Sequence, residues 1–187
     1  MLNKLTTLLQ SNSLYIEKEL KDFDDTTCPH SNLKFIAFDE VKDNVCKIFG
    51  IPKNYSSVDL VFLNNSKNTI YLIEMKRFDS TGSLSLRDFI EERMKCMSKK
   101  TIETMFVLLI IMGYYNIEKS FYHYFLNKRT LKIKSCILTN MSDVEYVTYN
   151  LAYQDKFNIT LSGKNTNCME SEIKIINCNS LPVFINS

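Results

Sequence analysis

Apolar residues follow two rhythms along this chain: a spacing near 3.6, which marks helices, and strict alternation, which marks strands. Leu2 to Gln10 and Leu14 to Phe23 are predicted to be short helices, separated by the break and cap Ser11-Asn12-Ser13. From Leu33 to Phe49, positions Leu33, Ile36, Ala37, Phe38, Val41, Val45, Ile48 and Phe49 fall mostly on one helical stripe. Ser31 or Asn32 caps its start, and Gly50 followed by Pro52 stops it. Tyr55 to Leu63 and Thr69 to Lys76 alternate and are rich in β-branched and aromatic residues, as strands are. The polar run Asn64 to Asn68 between them makes the pair a hairpin.

Further along, Asp79 to Ser85 is a turn, and a helix from Leu86 to about Met97 turns Leu86, Phe89, Ile90, Met94 and Met97 inward. Thr101 to Tyr115 fits a buried strand or a buried helix; its Met and Leu content, with no glycine or proline before Gly113, favours helix. Helix continues over Ile117 to Lys128. Strands are predicted at Leu131 to Thr139, Glu145 to Tyr153, Lys156 to Leu161, Glu172 to Asn177 and Pro182 to Ile185. This order predicts an α/β fold, a mixed β-sheet flanked by helices. One domain spans 1–187, with a core over about 31–140, N-terminal helices over 1–30 and a C-terminal strand extension over 141–187.

The hairpin concentrates the chemistry. A four-residue loop, Asn65 to Asn68, sets a register in which Asp59 faces Glu74 and Ser57 faces Lys76. With side chains alternating between faces, Asp59, Glu74 and Lys76 all emerge on one side of the sheet. Two opposed carboxylates repel. A bound cation removes that cost, and the Lys76 ammonium softens it. Val61, Leu63, Ile70 and Leu72 share the face, so the acids sit at the edge of a half-buried surface and require compensation.

Asp59 followed by Glu74-Met75-Lys76 on the next strand resembles the PD-(D/E)xK nuclease superfamily, the restriction-endonuclease-like phosphodiesterases. The likeness covers roughly residues 33 to 100, and Val58 stands where many members have proline. It implies an αβββαβ core, here with additional C-terminal strands, and a metal-dependent nuclease acting on DNA. It also implies that Asp59, Glu74 and the backbone carbonyl of Met75 ligate Mg²⁺ or Mn²⁺, while Lys76 orients the attacking water or neutralises a phosphate oxygen. Family members often add an acid from the helix before the hairpin. Glu40 is the candidate, at the border of its apolar stripe, with Glu17 and Glu19 competing for the role. Duplex cutting with two active sites would make the protein a homodimer. The alternative is a non-catalytic nucleic-acid-binding or assembly protein on a nuclease-like fold.

Composition narrows the field. Two histidines, His30 and His123, argue against metal sites built from several imidazoles. Four dispersed glycines leave no phosphate-cradling loop or dinucleotide fingerprint, and there is no G-x-S-x-G elbow. A carboxylate-plus-lysine site needs none of these. The net charge of +2 demands that any nucleic-acid contact rest on local patches. Lys95 and Lys99, one helical turn apart, are candidates to hold a phosphate, as are Lys128, Arg129, Lys132 and Lys134. Tyr114, Tyr115, Tyr122 and Tyr124 suit base stacking or core packing. The six cysteines form no CxxC pair, and Cys28-Pro29-His30 lacks a partner cluster. With no secretory signal and no long apolar run, the expectation is a reduced, intracellular protein with buried thiols and no membrane span.

Overall fold

A computed structural model describes residues 2–23, 27–29, 31–52, 54–79, 81, 85–115, 131–153 and 169–187. Its centre is a six-stranded mixed open sheet in strand order β1-β2-β3-β4-β5-β6, made of β1 (Glu17–Glu19), β2 (Lys34–Ala37), β3 (Leu60–Asn64), β4 (Thr69–Lys76), β5 (Lys132–Thr139) and β6 (Met169–Asn177). The first four strands pair antiparallel; β4–β5 and β5–β6 pair parallel. Five helices accompany them among the described residues: α1 (Leu2–Ser11), α2 (Phe38–Phe49), α3 (Leu86–Tyr114), α4 (Asp143–Tyr153) and α5 (Leu181–Ile185).

Alternation along the strands divides the core in two. Ile36, Val61, Ile70, Leu72, Ile133, Ile137, Ile173 and Ile175 pack on one face against Leu2, Leu5 and Leu9 of α1, Val41 and Val45 of α2, and the long α3. Phe35, Leu60, Tyr71, Ile73, Cys136, Leu138 and Ile176 occupy the other face beneath Leu181, Phe184 and Ile185 of α5. Each apolar side chain so buried contributes about 1.5–3 kcal/mol. No helix among the described residues is long and apolar enough to cross a membrane.

The hairpin forms with the expected loop. Asn65 to Asn68 turns the chain, Asn68 takes φ +50°, and Leu60 faces Ile73 while Asn64 faces Thr69. Asn64 fastens the turn by accepting from Ser66 Oγ at 2.7 Å and the Lys67 amide at 3.2 Å. Gly50 stops α2 as expected, at φ +64°, where a left-handed residue is required.

Several elements differ from the expectation. Leu14 to Phe23 is not helical: it holds β1 and a 3-10 turn over Leu20–Asp22. Leu14 is buried on the helical face and Leu20 on the opposite one, and Glu17 to Glu19 between them pair with β2. Leu33 to Phe49 splits because neighbouring Phe35 and Ile36 enter opposite faces as part of β2. Helix α2 therefore starts at Phe38, without a Ser31 or Asn32 cap. The two helices foreseen from Leu86 to Tyr115 are one helix of 29 residues, capped by Ser85 Oγ accepting from the Asp88 amide.

Glu145 to Tyr153 is helix rather than strand. A reciprocal cap starts it: Ser142 Oγ accepts from the Glu145 amide, and Glu145 accepts from the Ser142 amide at 2.8 Å. Pro182 to Ile185 is likewise helix, with proline in its first turn. The C-terminal extension thus contributes one strand, β6, among the described residues. Ile117 to Lys128 and Lys156 to Leu161 lie outside them. The expectation of reduced thiols is also corrected. Cys28 and Cys178, 150 residues apart, form a disulfide with Cα atoms 5.7 Å apart, while Cys46, Cys96 and Cys136 remain thiols. A separation that long carries no local spacing signal; the fold creates the pair.

Candidate functional site

Asp59 immediately precedes β3, and its carbonyl accepts from the Phe38 amide at 3.0 Å, which ties it to the start of α2. Continuing the hairpin register by one residue sets it opposite Glu74. Glu74 is buried, on the face that carries α3. Lys76 Nζ stands 2.6 Å from Glu74 Oε1. The backbone of Met75 donates its N–H to Asp59 Oδ2 at 2.7 Å. Asp59, Glu74 and Lys76 therefore meet at one corner of the sheet.

A fourth group completes the corner. Lys100, near the middle of α3, donates to Glu74 Oε1 at 2.7 Å and Oε2 at 2.8 Å, and lies 3.9 Å from Asp59 Oδ1. Two carboxylates and two ammonium groups thus share a partly enclosed space. Glu74 is the most enclosed of the four, and removing an ammonium group that it binds leaves a buried charge short of a partner.

The electrostatics follow from that crowding. Burial first, and then the charge of Glu74, push the Asp59 carboxyl up to about 6; the Met75 amide and the two lysines oppose the rise without cancelling it. Burial works against the Lys100 ammonium. The hydrogen bond and charge of Glu74, with the charges of Asp59 and Asp39, outweigh it and hold the group above its ordinary value.

Helix α3 also fastens the segment that carries Asp59. Thr104 Oγ1 accepts from the Val58 amide at 3.0 Å, and Glu103 accepts from the Ser56 amide. Ser57 Oγ donates to Asp39, which also takes Lys42 at 3.3 Å. On the next strand over, Ser135 Oγ meets Thr101 Oγ1 at 3.1 Å. Lys100, Thr101, Glu103 and Thr104 therefore form a polar band along a helix whose neighbouring positions Met97, Met105 and Leu108 are buried and apolar.

A cleft of about 340 Å³ opens beside the corner, lined by Phe23, Ala37, Asp39, Glu40, Asp59 and Met75. Glu40 is in the first turn of α2, where the helix dipole favours an acid, and it pairs with Lys18. It borders the cleft from an exposed position and does not join the Asp59–Glu74 corner. Glu17 accepts from the Tyr15 hydroxyl at 2.9 Å, and Glu19 pairs with Lys21 at 2.7 Å; neither is among the residues that line the cleft. Lys95 is exposed, and Lys99 reaches Glu103 at 3.8 Å; neither contacts the two carboxylates.

Among the other basic candidates, Lys134 donates to Ser187 Oγ at 3.1 Å, and Lys128 and Arg129 lie outside the described residues. Tyr114 stacks on Phe49 at 4.0 Å, and Tyr115 meets the same ring edge-on. Tyr122, His123 and Tyr124 lie outside the described residues. Cys28 is consumed by its disulfide, which removes it as a metal ligand.

Sequence reasoning missed Lys100 and Asp39. A signal for Lys100 was present: it lies three residues after buried Met97 and four before buried Thr104, at the edge of the inward stripe.

Among the described residues no group of three or more His, Cys, Asp or Glu is arranged to hold a metal ion. The donor set at the corner nevertheless suits a hard divalent cation, because Mg²⁺ takes one or two carboxylates and fills its remaining positions with water and substrate phosphate. Asp59 and Glu74 would be those carboxylates. An ion bound through Glu74 requires Lys100 to leave at least one of its oxygens. Comparison of the chain with models of protein families, with curated proteins and with solved structures finds no match.

Proposed function

We propose that this protein is a Mg²⁺- or Mn²⁺-dependent nuclease that hydrolyses phosphodiester bonds, with DNA as substrate and the Asp59, Glu74 and Lys76 corner as its active site. The observation that carries the reading is the convergence of those three side chains at one buried corner beside an open cleft. The run β3-β4-α3-β5, an antiparallel hairpin followed by a helix and a parallel strand, supports a restriction-endonuclease-like core, although α2 lies between β2 and β3 where the αβββαβ order expects three consecutive strands. When bound, the metal lowers the pKa of water and offsets charge on the phosphorane.

The residues of the chain supply the remainder. Asp59 and Glu74 fix the ion through hard oxygens, and the amide of Met75 keeps Asp59 aimed at the corner. Lys76, partly exposed at the rim, orients the attacking water or meets a non-bridging phosphate oxygen. Water gives up a proton and adds to phosphorus, the bond to the leaving deoxyribose oxygen breaks, and that oxygen takes up a proton in turn. Asp39 and Glu40 on the cleft wall repel the phosphate backbone, so a strand would approach from the corner where Lys76 and Lys100 stand.

One observation favours a second reading. Lys100 and Lys76 already balance the charges of Asp59 and Glu74, as they would in an ionic core that stabilises a non-catalytic nucleic-acid-binding or assembly protein. Supercoiled plasmid and single strands incubated with Mg²⁺ or Mn²⁺ separate the two. Cutting by the wild type, reduced by about a hundredfold or more in Asp59→Asn and Lys76→Ala with the fold retained, is the expected result. Undiminished cutting by either variant removes that residue from the site, and binding without cutting establishes the second reading.

A further inference from the structure

We propose that Lys100 is the resident counter-ion of the site: its ammonium holds Glu74 while no metal is bound, and a divalent cation displaces it from the same carboxylate. The inference rests on reading the corner as a metal site, and it assigns a role to a residue that the hairpin motif does not contain.

Three observations carry it. The first is position. Lys100 Nζ is almost equidistant from the two Glu74 oxygens, at 2.7 and 2.8 Å, which is where a cation bridging both oxygens would sit, and it is 3.9 Å from Asp59 Oδ1. Lys76 makes its contact through Oε1. The ammonium of Lys100 thus lies between the two acids in the place a shared ion would take.

The second is burial. The Glu74 side chain is 3% exposed, and an ionised carboxylate so enclosed requires a partner in every state of the protein. A site that loads and releases a metal must therefore carry a cation of its own. With Lys100 in place the corner is neutral, two acids against two ammonium groups. A divalent ion added without moving Lys100 would leave two excess positive charges in a region of low dielectric.

The third is reach. Lys76 shares a strand with Glu74, whereas Lys100 extends from α3 on a flexible four-carbon stem, its side chain 24% exposed. Its head group lies 3.9 Å from Asp59, which lines the bordering cleft, and would turn that way on leaving Glu74. There it would meet the phosphate that the loaded site is built to receive. Metal loading then delivers a positive charge to the substrate side, and the exchange couples the two binding events.

The competition lowers metal affinity, which gives a readout independent of cleavage. Mn²⁺ is titrated by calorimetry, and by the electron paramagnetic resonance of free Mn²⁺, into the wild type, Lys100→Met, Lys100→Arg and Glu74→Gln, with no nucleic acid present. Lys100→Met keeps the length of the stem without its charge and is expected to bind Mn²⁺ on the order of tenfold more tightly than the wild type. Lys100→Arg grips the carboxylate with a fork and is expected to bind less tightly than the wild type. Glu74→Gln is expected to lose binding.

Equal or weaker affinity in a folded Lys100→Met overturns the exchange while leaving the metal site standing. Should Lys100→Met fail to fold by circular dichroism, Lys100→Arg decides: affinity equal to or above the wild type overturns the proposal. If neither the wild type nor Lys100→Met binds Mn²⁺ at millimolar concentration, the metal site itself is refuted and the exchange with it.

Discussion

The same two residue types, lysine and glutamate, pair at both ends of the β1–β4 meander with opposite consequences. At the β1 edge, Glu17 meets Lys34 at 3.8 Å, Glu19 meets Lys21 and Lys18 meets Glu40, all with side chains well exposed to water. At the end of β4, Glu74 is enclosed and takes two ammonium groups on its two oxygens. Water screens the first set, so each pair contributes little and yields to salt. The second set is shielded from water, so its members depend on one another. Burial, rather than residue type, separates a charged strand edge that discourages pairing with other chains from the corner proposed as the active site.

The contrast is broken most forcefully at Lys100. Lys100→Met removes the ammonium from a buried carboxylate and is expected to cost about 3 kcal/mol or more, measured by urea denaturation and nearly unchanged at high salt. A loss below about 0.5 kcal/mol would place this corner in the same class as the β1 edge.

Asp59 sharpens the comparison through pH. Its carboxyl is raised from 3.8 to about 6 in the folded protein, so the native state holds the proton more tightly than the unfolded chain does. The resulting penalty is absent below pH 3.8, develops as pH rises between 3.8 and 6, and is complete above 6. Asp59→Asn, which retains an acceptor for the Met75 amide, is therefore expected to stabilise the protein by about 1–3 kcal/mol at pH 8 and to change it little near pH 4. Thermal denaturation at the two pH values provides the check; destabilisation at pH 8 would refute the assignment. Under the proposed nuclease function the same variant is expected to lose cleavage, a trade of stability for activity.

The smallest effect belongs to the edge. Lys34→Ala is expected to shift stability by no more than about 0.5 kcal/mol, and 0.5 M salt should erase even that. A larger, salt-resistant loss would show that the edge pairs are structural.

How much of this was legible beforehand depends on how local the cause is. The hairpin, its loop and the facing of Asp59 and Glu74 could be read because alternation and the asparagine-rich turn act within twenty-odd residues. The helical character of Thr101 to Tyr115 was legible from its composition. The helix at Asp143–Tyr153 was missed because its valine and tyrosine content suits a strand, while the Ser142–Glu145 cap that starts it went unread. Lys100 was missed because polar residues interrupt the apolar rhythm of α3 at the point where the helix passes the two acids. A lysine there looks solvated until the strand beneath it is in place.

Taken alone, the sequence determined the β3–β4 hairpin, its register and the face on which its acids emerge, because turn chemistry and a period of two are properties of neighbouring residues. Only the tertiary structure decided that Leu14 to Phe23 would be drawn into an edge strand, that Phe35 and Ile36 would part to opposite faces, and that Cys28 would find Cys178. It also decided that a lysine from a distant helix would close on Glu74. Those outcomes depend on which elements become neighbours in space, and the burial gained there outweighs any local preference for helix, solvent or free thiol.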